Sequence, residues 1–315
     1  MGILTVCVPV YNESRFIDHL ISSLISAAPD EKEIILIDGG STDDTISKIK
    51  NWQKVYPQLR LVINDLKYVS HGFNKAYRDI TSDYIALLGA HAVYPDNYFE
   101  KGIEILKSGL ADAVGGTLKQ DGRTEKGKII AQCMSSKFGV GNTEFRTSRE
   151  KRYVPSVAMA IYKKSVFESI GLLDEELIRN QDDEFHYRMN AHGLKILMDP
   201  EMELTYFVRD DFASLWSQYY HYGLFKPLVL KKVNSGFRLR HIIPAVFVLY
   251  IVAAPLLFLM SPVTALPLIL YIMLDLLFSI RISPKPKKLT QAFIAFTVLH
   301  ISYGLGFIIG IKKIL

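Results

Sequence analysis

From residue 242 to residue 260 the chain carries no charged side chain. A helix of that length approaches the ~30 Å hydrocarbon thickness of a bilayer. Residues 263–280 follow with one acid, Asp275, and residues 289–311 form another uncharged run holding His300, Gly304, Gly306 and Gly310. Three such runs in succession are too apolar for the core of a soluble domain this size, so they predict membrane helices. Hydrophobic content over the whole chain is an ordinary 49%, so the excess is concentrated at this end. Two domains are expected: 1–230, soluble in composition, and 231–315, embedded in membrane.

The net charge of +5 gathers near the apolar runs. Lys231, Lys232, Arg238 and Arg240 precede the first, and Arg281, Lys285, Lys287 and Lys288 lie between the second and third. This pattern suits anionic lipid headgroups. No basic stripe with interleaved aromatics marks a nucleic-acid partner. The positive-inside rule puts both clusters on the cytoplasmic side, with spans one and two a hairpin through Ser261 and Pro262. Three full spans leave Lys312 and Lys313 outside, and the Pro-rich first pair offers a re-entrant alternative. Asp275 reads as a functional acid or as a residue near a headgroup, the second being favoured. The glycines of the third run suit close helix packing. Cys7 and Cys133 fit no metal-ligand spacing, which points to a reducing compartment, and strand-like sequence from Ile3 leaves no room for a leader.

Residues 5–44 organise the first domain. An apolar run ends at Pro9-Val10-Tyr11-Asn12-Glu13, an amphipathic segment follows, and a second apolar run ends at Asp38-Gly39-Gly40-Ser41-Thr42-Asp43-Asp44. This is a β-α-β unit with both polar turns at one edge of a parallel sheet, where ligands of open α/β sheets bind. Asn12, Glu13 and Ser14 are candidates to cap the first helix. Asp38 and Asp43 either accept hydrogen bonds from a nucleobase or ribose, or serve as a helix cap and a solvated acid. The first turn lacks G-x-G-x-x-G, which excludes a dinucleotide fingerprint, and no P-loop is present.

Further apolar runs at 59–63, 84–88, 111–115, 157–162 and 195–198 alternate with helical patterns. Together they predict an α/β fold with a mostly parallel sheet. Residues 117–155 are polar and Gly-containing, and read either as a connection that closes over a site or as a surface excursion.

The chain resembles family 2 glycosyltransferases of the GT-A fold. Pro9 to Glu13 and Asp38 to Thr45 match the family's opening motifs, Gly72, Asn74 and Ala76 fit its third helix, and Asn180 to Arg188 resembles the segment supplying the catalytic base. With its apolar tail the chain is similar to the succinoglycan-type (ExoA-like) membrane branch. The resemblance implies a nucleotide-sugar donor, a UDP-hexose, bound through Pro9, Tyr11, Glu13, Asp38, Gly40, Asp43, Asn74 and His91. It implies Asp182 as base, inverting transfer to a lipid-linked saccharide, and a role in surface polysaccharide synthesis at the membrane. A homo-oligomer or polysaccharide-assembly proteins are the further partners it allows.

Two positions depart from the family. Where an Asp-x-Asp binds Mn²⁺ or Mg²⁺, this chain has Gly89-Ala90-His91, which leaves His91 as the metal candidate. Where Glu-Asp is usual it has Gln181-Asp182, which removes a like charge beside the base. Transfer to a polyprenyl phosphate and a catalytically inactive sugar-nucleotide binder are the rival readings. A processive synthase lacks support because Gln-x-x-Arg-Trp is absent. Trp216, Tyr219, Tyr220, Tyr222 and Phe225 read as sugar-stacking residues, interface anchors or core.

Overall fold

The apolar run after Ile3 becomes β1 (Leu4–Val10), buried along nearly its whole length as an interior parallel strand must be. The computed structural model describes residues 3–233 and 238–314. After β1 come α1 (Ile17–Ser26), β2 (Lys32–Asp38), α2 (Thr45–Val55), β3 (Leu59–Ile63), α3 (Val69–Tyr77) and β4 (Tyr84–Leu87). Then follow β5 (Ala92–Val93), α4 (Tyr98–Lys107), β6 (Ala113–Asp121), α5 (Glu125–Met134), α6 (Lys137–Val140) and α7 (Glu144–Thr147). The first part of the fold closes with β7 (Arg152–Tyr153), β8 (Ile161–Lys163), α8 (Lys164–Ile170), α9 (Gln181–Ala191) and β9 (Ile196–Phe207). Long helices complete the chain: α10 (Phe212–Val233), α11 (Leu239–Met260), α12 (Leu266–Ile282) and α13 (Pro286–Ile314).

The structure divides into two units, Met1–Lys119 with Ser148–Tyr206, and Gln120–Thr147 with Phe207–Leu315. The strands form one sheet in the order β3-β2-β1-β4-β8-β6-β9-β5, with β7 paired to β9. β3, β2, β1 and β4 are mutually parallel, whereas β8 pairs antiparallel to β4 and to β6. The parallel half is the part that matters for binding. Val10 lies opposite Asp38, and Asp38 opposite Ile63, so three strands end level and their polar turns share one edge. α1 buries Ile17, Leu20, Ile21 and Leu24, the three-and-four spacing of an amphipathic helix. Its N-cap is Phe16, with no side-chain cap. Asn12, Glu13 and Ser14 therefore do not cap it, and their backbone N–H groups turn to the second loop instead.

Residues 117–155 are not a plain surface excursion. They extend β6 and then form α5, α6, α7 and β7, and Gln120–Thr147 belongs to the helical unit. The polar residues misled because they lie on exposed faces. Ile129, Ile130, Cys133 and Met134 on α5 are buried, and the Cys133 thiol donates to the Ala292 carbonyl oxygen of α13.

Among the described residues of the helical unit three helices are long and apolar enough to cross a membrane: Leu239–Met260, Pro262–Ile282 and Pro286–Ile314. By that length and composition this is a multi-pass membrane protein. α13 packs on its neighbours through glycine. A Cβ at Gly306 would meet the Tyr220 carbonyl oxygen, at Gly310 that of Leu224, and at Gly304 that of Pro244. Backbone cannot retreat as a side chain can. Gly306→Val is therefore expected to lower stability by roughly 1–3 kcal/mol, read as a fall in Tm of the detergent-purified protein. The same change at exposed Leu259 should leave Tm unchanged. Asp275 is enclosed by helices of this unit. It is fully buried, and it accepts hydrogen bonds from Ser279 at 3.1 Å and Thr297 at 3.3 Å. Two hydroxyl donors on α12 and α13 are what make the buried position tolerable.

Candidate active site

The two turns after β1 and β2 are laced together by side chains acting on backbone. Asn12 N–H donates to Ser41 Oγ, Glu13 N–H to Thr45 Oγ1, and Ser14 N–H to Asp43 Oδ2, at 2.8, 2.8 and 3.1 Å. In return Asn12 Oδ1 accepts from Thr42 N–H at 2.8 Å. Gly39 N–H donates to the Val10 carbonyl, and a Cβ at Gly39 would lie 3.0 Å from the Lys67 carbonyl oxygen. Gly40 has φ +85°, the left-handed region that favours glycine. These contacts fix the shape of the edge before any ligand arrives.

Asp38 stands at the centre. It is fully buried. Its Oδ2 accepts from Gly40 N–H and Ser41 N–H, both at 2.9 Å, which folds the second turn back on the strand. Its Oδ1 is buried with no hydrogen-bond partner among the described residues. A buried carboxylate oxygen left without a donor is costly, so this atom is the part of the turn most in need of an N–H or O–H from a ligand. Asp43 is occupied otherwise. Its Oδ1 takes Thr45 N–H and Oγ1–H, and its Oδ2 takes Ser14 N–H. Against a desolvation cost, these bonds from Thr45 and Ser14 hold its carboxyl at about 2. Asp43 is thus a loop clamp in this geometry.

The remaining candidates sort by environment. Pro9, half-buried, is the penultimate residue of β1, and Tyr11 is exposed just past its end. Gly72 lets α3 sit on β2, since a Cβ there would lie 2.5 Å from Ile37 Cγ2. Asn74 bonds to the segment after α8. Its amide donates to the Leu173 carbonyl and Glu175 Oε1, and its Oδ1 accepts from Leu173 N–H. Arg188 works on the same segment from the other side, donating to the Ile170 and Leu172 carbonyls and to both oxygens of Glu184. Asn74 and Arg188 therefore hold the segment that leads into α9. Asp182 is exposed on the first turn of α9. Gln181, next to it, has a buried Oε1 without a hydrogen-bond partner among the described residues.

His91 Nε2 lies 3.0 Å from Oε1 of buried Glu13, which ties the end of β4 to the first turn. At position 89 the geometry departs from an Asp-x-Asp site. A Cβ on Gly89 would sit 2.5 Å from Met159 Cε, so a thioether fills the space in which a carboxylate would begin. The Gly89 N–H donates to Tyr94 Oη and the Gly89 carbonyl accepts from it, each at 3.0 Å. Tyr98 Oη–H donates to the Met159 carbonyl at 2.6 Å. Among the described residues no group of three His, Cys, Asp or Glu side chains is placed to hold a metal ion. The donor set does not fit a cation held by the protein at this motif.

Sequence reasoning missed Met159, Tyr94 and the loop-lacing hydroxyls of Ser41 and Thr45. Only the last carried a signal, as Ser/Thr in an acidic turn. Met159 has φ +55°, and nothing in its sequence neighbourhood announces that.

The geometry agrees with what the chain is similar to. It is 29% identical to the succinoglycan biosynthesis protein ExoA of Rhizobium meliloti, over 69% of this chain and 67% of that one. It is 25% identical to a dolichyl N-acetyl-α-D-glucosaminyl phosphate 3-β-D-2,3-diacetamido-2,3-dideoxy-β-D-glucuronosyltransferase of Methanococcus voltae, over 99% of this chain and 98% of that one. Among solved structures, the mannosyltransferase PcManGT of Pyrobaculum calidifontis, determined with GDP-Man and Mn2+, shares the fold. The TM-score is 0.63 at 18% identity, covering 96% of this chain and 87% of that one. Residues 5–171, more than half of the chain, match the profile of glycosyl transferase family 2, and the protein belongs to that family, with its GT-A sugar-nucleotide fold.

Proposed function

We propose that this enzyme transfers a hexose from a uridine diphosphate donor to a hydroxyl of a lipid-linked saccharide, with inversion, at the cytoplasmic face of the membrane. The buried, partnerless Oδ1 of Asp38 carries the reading. It needs one donor at the carboxyl edge of the parallel strands, and the N3–H of uracil supplies one. The diphosphate follows toward the loops, and His91, held by Glu13, meets its charge.

Asp182 takes the proton of the acceptor hydroxyl as the oxygen attacks the anomeric carbon from the face opposite the diphosphate. The new C–O bond forms, the bond to the diphosphate oxygen breaks, and the nucleoside diphosphate leaves with that electron pair. One displacement inverts configuration, and no covalent sugar intermediate arises. The cationic clusters at Arg238 and Arg240, and from Arg281 to Lys288, support a cytoplasmic catalytic unit. The likeness to ExoA supports a surface-polysaccharide setting. The full-length likeness to an enzyme named for a dolichyl-phosphate-linked sugar supports a saccharide acceptor on a lipid carrier.

The test uses full-length protein in detergent, with radiolabelled UDP-hexoses and a polyprenyl-diphosphate-linked monosaccharide as acceptor. A lengthened lipid-linked product of inverted anomeric configuration is expected. Sugar appearing directly on added polyprenyl phosphate would favour the monosaccharide-transferase reading. UDP binding without turnover on any donor would favour an inactive binder. Failure to bind UDP would overturn the nucleotide site itself.

A further inference from the structure

His186 lies on α9, one turn beyond Asp182, and is fully buried. The mechanism above does not use it, yet both its ring nitrogens are engaged. Tyr162 Oη is 2.8 Å from Nε2, and Ser156 Oγ is 3.1 Å from Nδ1. Ser156 Oγ–H in turn donates to Asp183 Oδ1 at 3.0 Å. These partners fix the direction of every bond. The Asp183 carboxylate only accepts, so the single Ser156 proton goes to it. Ser156 Oγ must then accept from Nδ1–H of His186. Nε2 is left bare, and Tyr162 Oη–H donates to it. Burial pushes the imidazole down to about 4, against the raising pull of Asp183, so the ring is neutral near pH 7 and one tautomer satisfies all three bonds.

The place where this chain of bonds ends gives it meaning. The chain enters α9 through its N-cap Asn180, which has φ +62°. The Ser156–Asp183 bond fastens its first turn, and Asn190, near the other end of the helix, donates to the Pro155 carbonyl. The 155–159 loop is thus fastened to α9 at one end, while Met159 at its other end fills the space beside Gly89.

We infer that Tyr162, His186 and Ser156 form a one-directional hydrogen-bond relay that sets the Asp182–Asp183 turn, with His186 as a positioning residue for the catalytic base. This rests on the reading of Asp182 as that base. Tyr162 also packs against Phe167, Phe185 and His186 through its ring. Tyr162→Phe keeps that packing and removes only the proton donated to Nε2.

The experiment measures kcat and donor KM for Tyr162→Phe and Ser156→Ala, each alone and combined with Asp182→Asn, in the full-length protein with UDP-hexose and the lipid-linked acceptor. Each single change is expected to lower kcat roughly 10- to 100-fold, the scale of a small misplacement of a reacting group, with donor KM unchanged. In the Asp182→Asn background neither should lower kcat further. Losses that multiply there, or single changes that lower only Tm, would overturn the inference. A second arm needs no turnover. Nitrogen-15 shifts of the His186 ring should show the Nδ1–H tautomer in the parent; in Tyr162→Phe Nδ1 stays protonated toward Ser156, while the Nε2 resonance moves as its hydrogen bond from Tyr162 is lost. An Nε2–H ring in the parent would overturn the relay. If the parent transfers no sugar, the functional reading fails while this arm still decides the polarity of the chain.

Discussion

Asp182→Asn is expected to lower kcat by about 10²–10⁴-fold and to leave UDP affinity unchanged. No neighbouring acid can stand in. Asp183 receives the Ser156 hydroxyl, and Glu184 is closed in a two-point ion pair with Arg188 at 2.8 and 2.9 Å. Asp182 is the exposed member of the three. It also sits in the first turn of α9, where the helix dipole favours a carboxylate. Asparagine preserves volume and hydrogen bonding but cannot accept the proton that the acceptor oxygen must lose. Steady-state rates with the lipid-linked acceptor, paired with calorimetric titration of UDP, check both halves. Equal kcat in the two proteins would remove Asp182 from the mechanism.

Asp38→Asn should act on binding instead. Two backbone N–H groups, of Gly40 and Ser41, already point at Oδ2. In the variant the amide oxygen must take that place, because the NH₂ would repel them. The NH₂ then occupies the position of Oδ1, and an acceptor becomes a donor. A base N–H that met a carboxylate now meets another N–H. The lost charged hydrogen bond corresponds to about 1.5–3 kcal/mol, or roughly 10- to 150-fold in the Kd for UDP. The turn itself stays intact, so Tm should hardly move. Unchanged UDP affinity would place the nucleobase elsewhere.

Much of this arrangement is legible in the residues alone. The level ends of β1, β2 and β3 follow from buried apolar runs that stop at Pro9-Val10 and Asp38, since each stop is a local event. The membrane helices follow from absent charge. What resists reading depends on distant partners. Asp43 looks like a ligand acid, yet Ser14 N–H from the first turn meets its Oδ2 while its near neighbour Thr45 occupies Oδ1. Asn74 looks like part of a binding helix, but the segment it holds is about a hundred residues away in sequence, with Leu173 as partner. The polar surface of residues 117–155 hides the apolar face of α5, because its partner α13 comes so much later. His186 gives no periodic signal, since a buried imidazole is tolerated only where Tyr162 and Ser156 happen to converge.

That late partner has a consequence for how the protein is made. Cys133 and Ala292 are 159 positions apart. At elongation rates of about 5–20 residues per second, α5 leaves the ribosome roughly 10–30 seconds before α13 exists to cover it. During that interval Ile129, Ile130 and Met134 have no native surface to rest on. Nascent chains must hold this face against the bilayer surface or a chaperone. Ribosome stalling between α10 and α13 should therefore yield an aggregation-prone intermediate rather than a soluble half-protein.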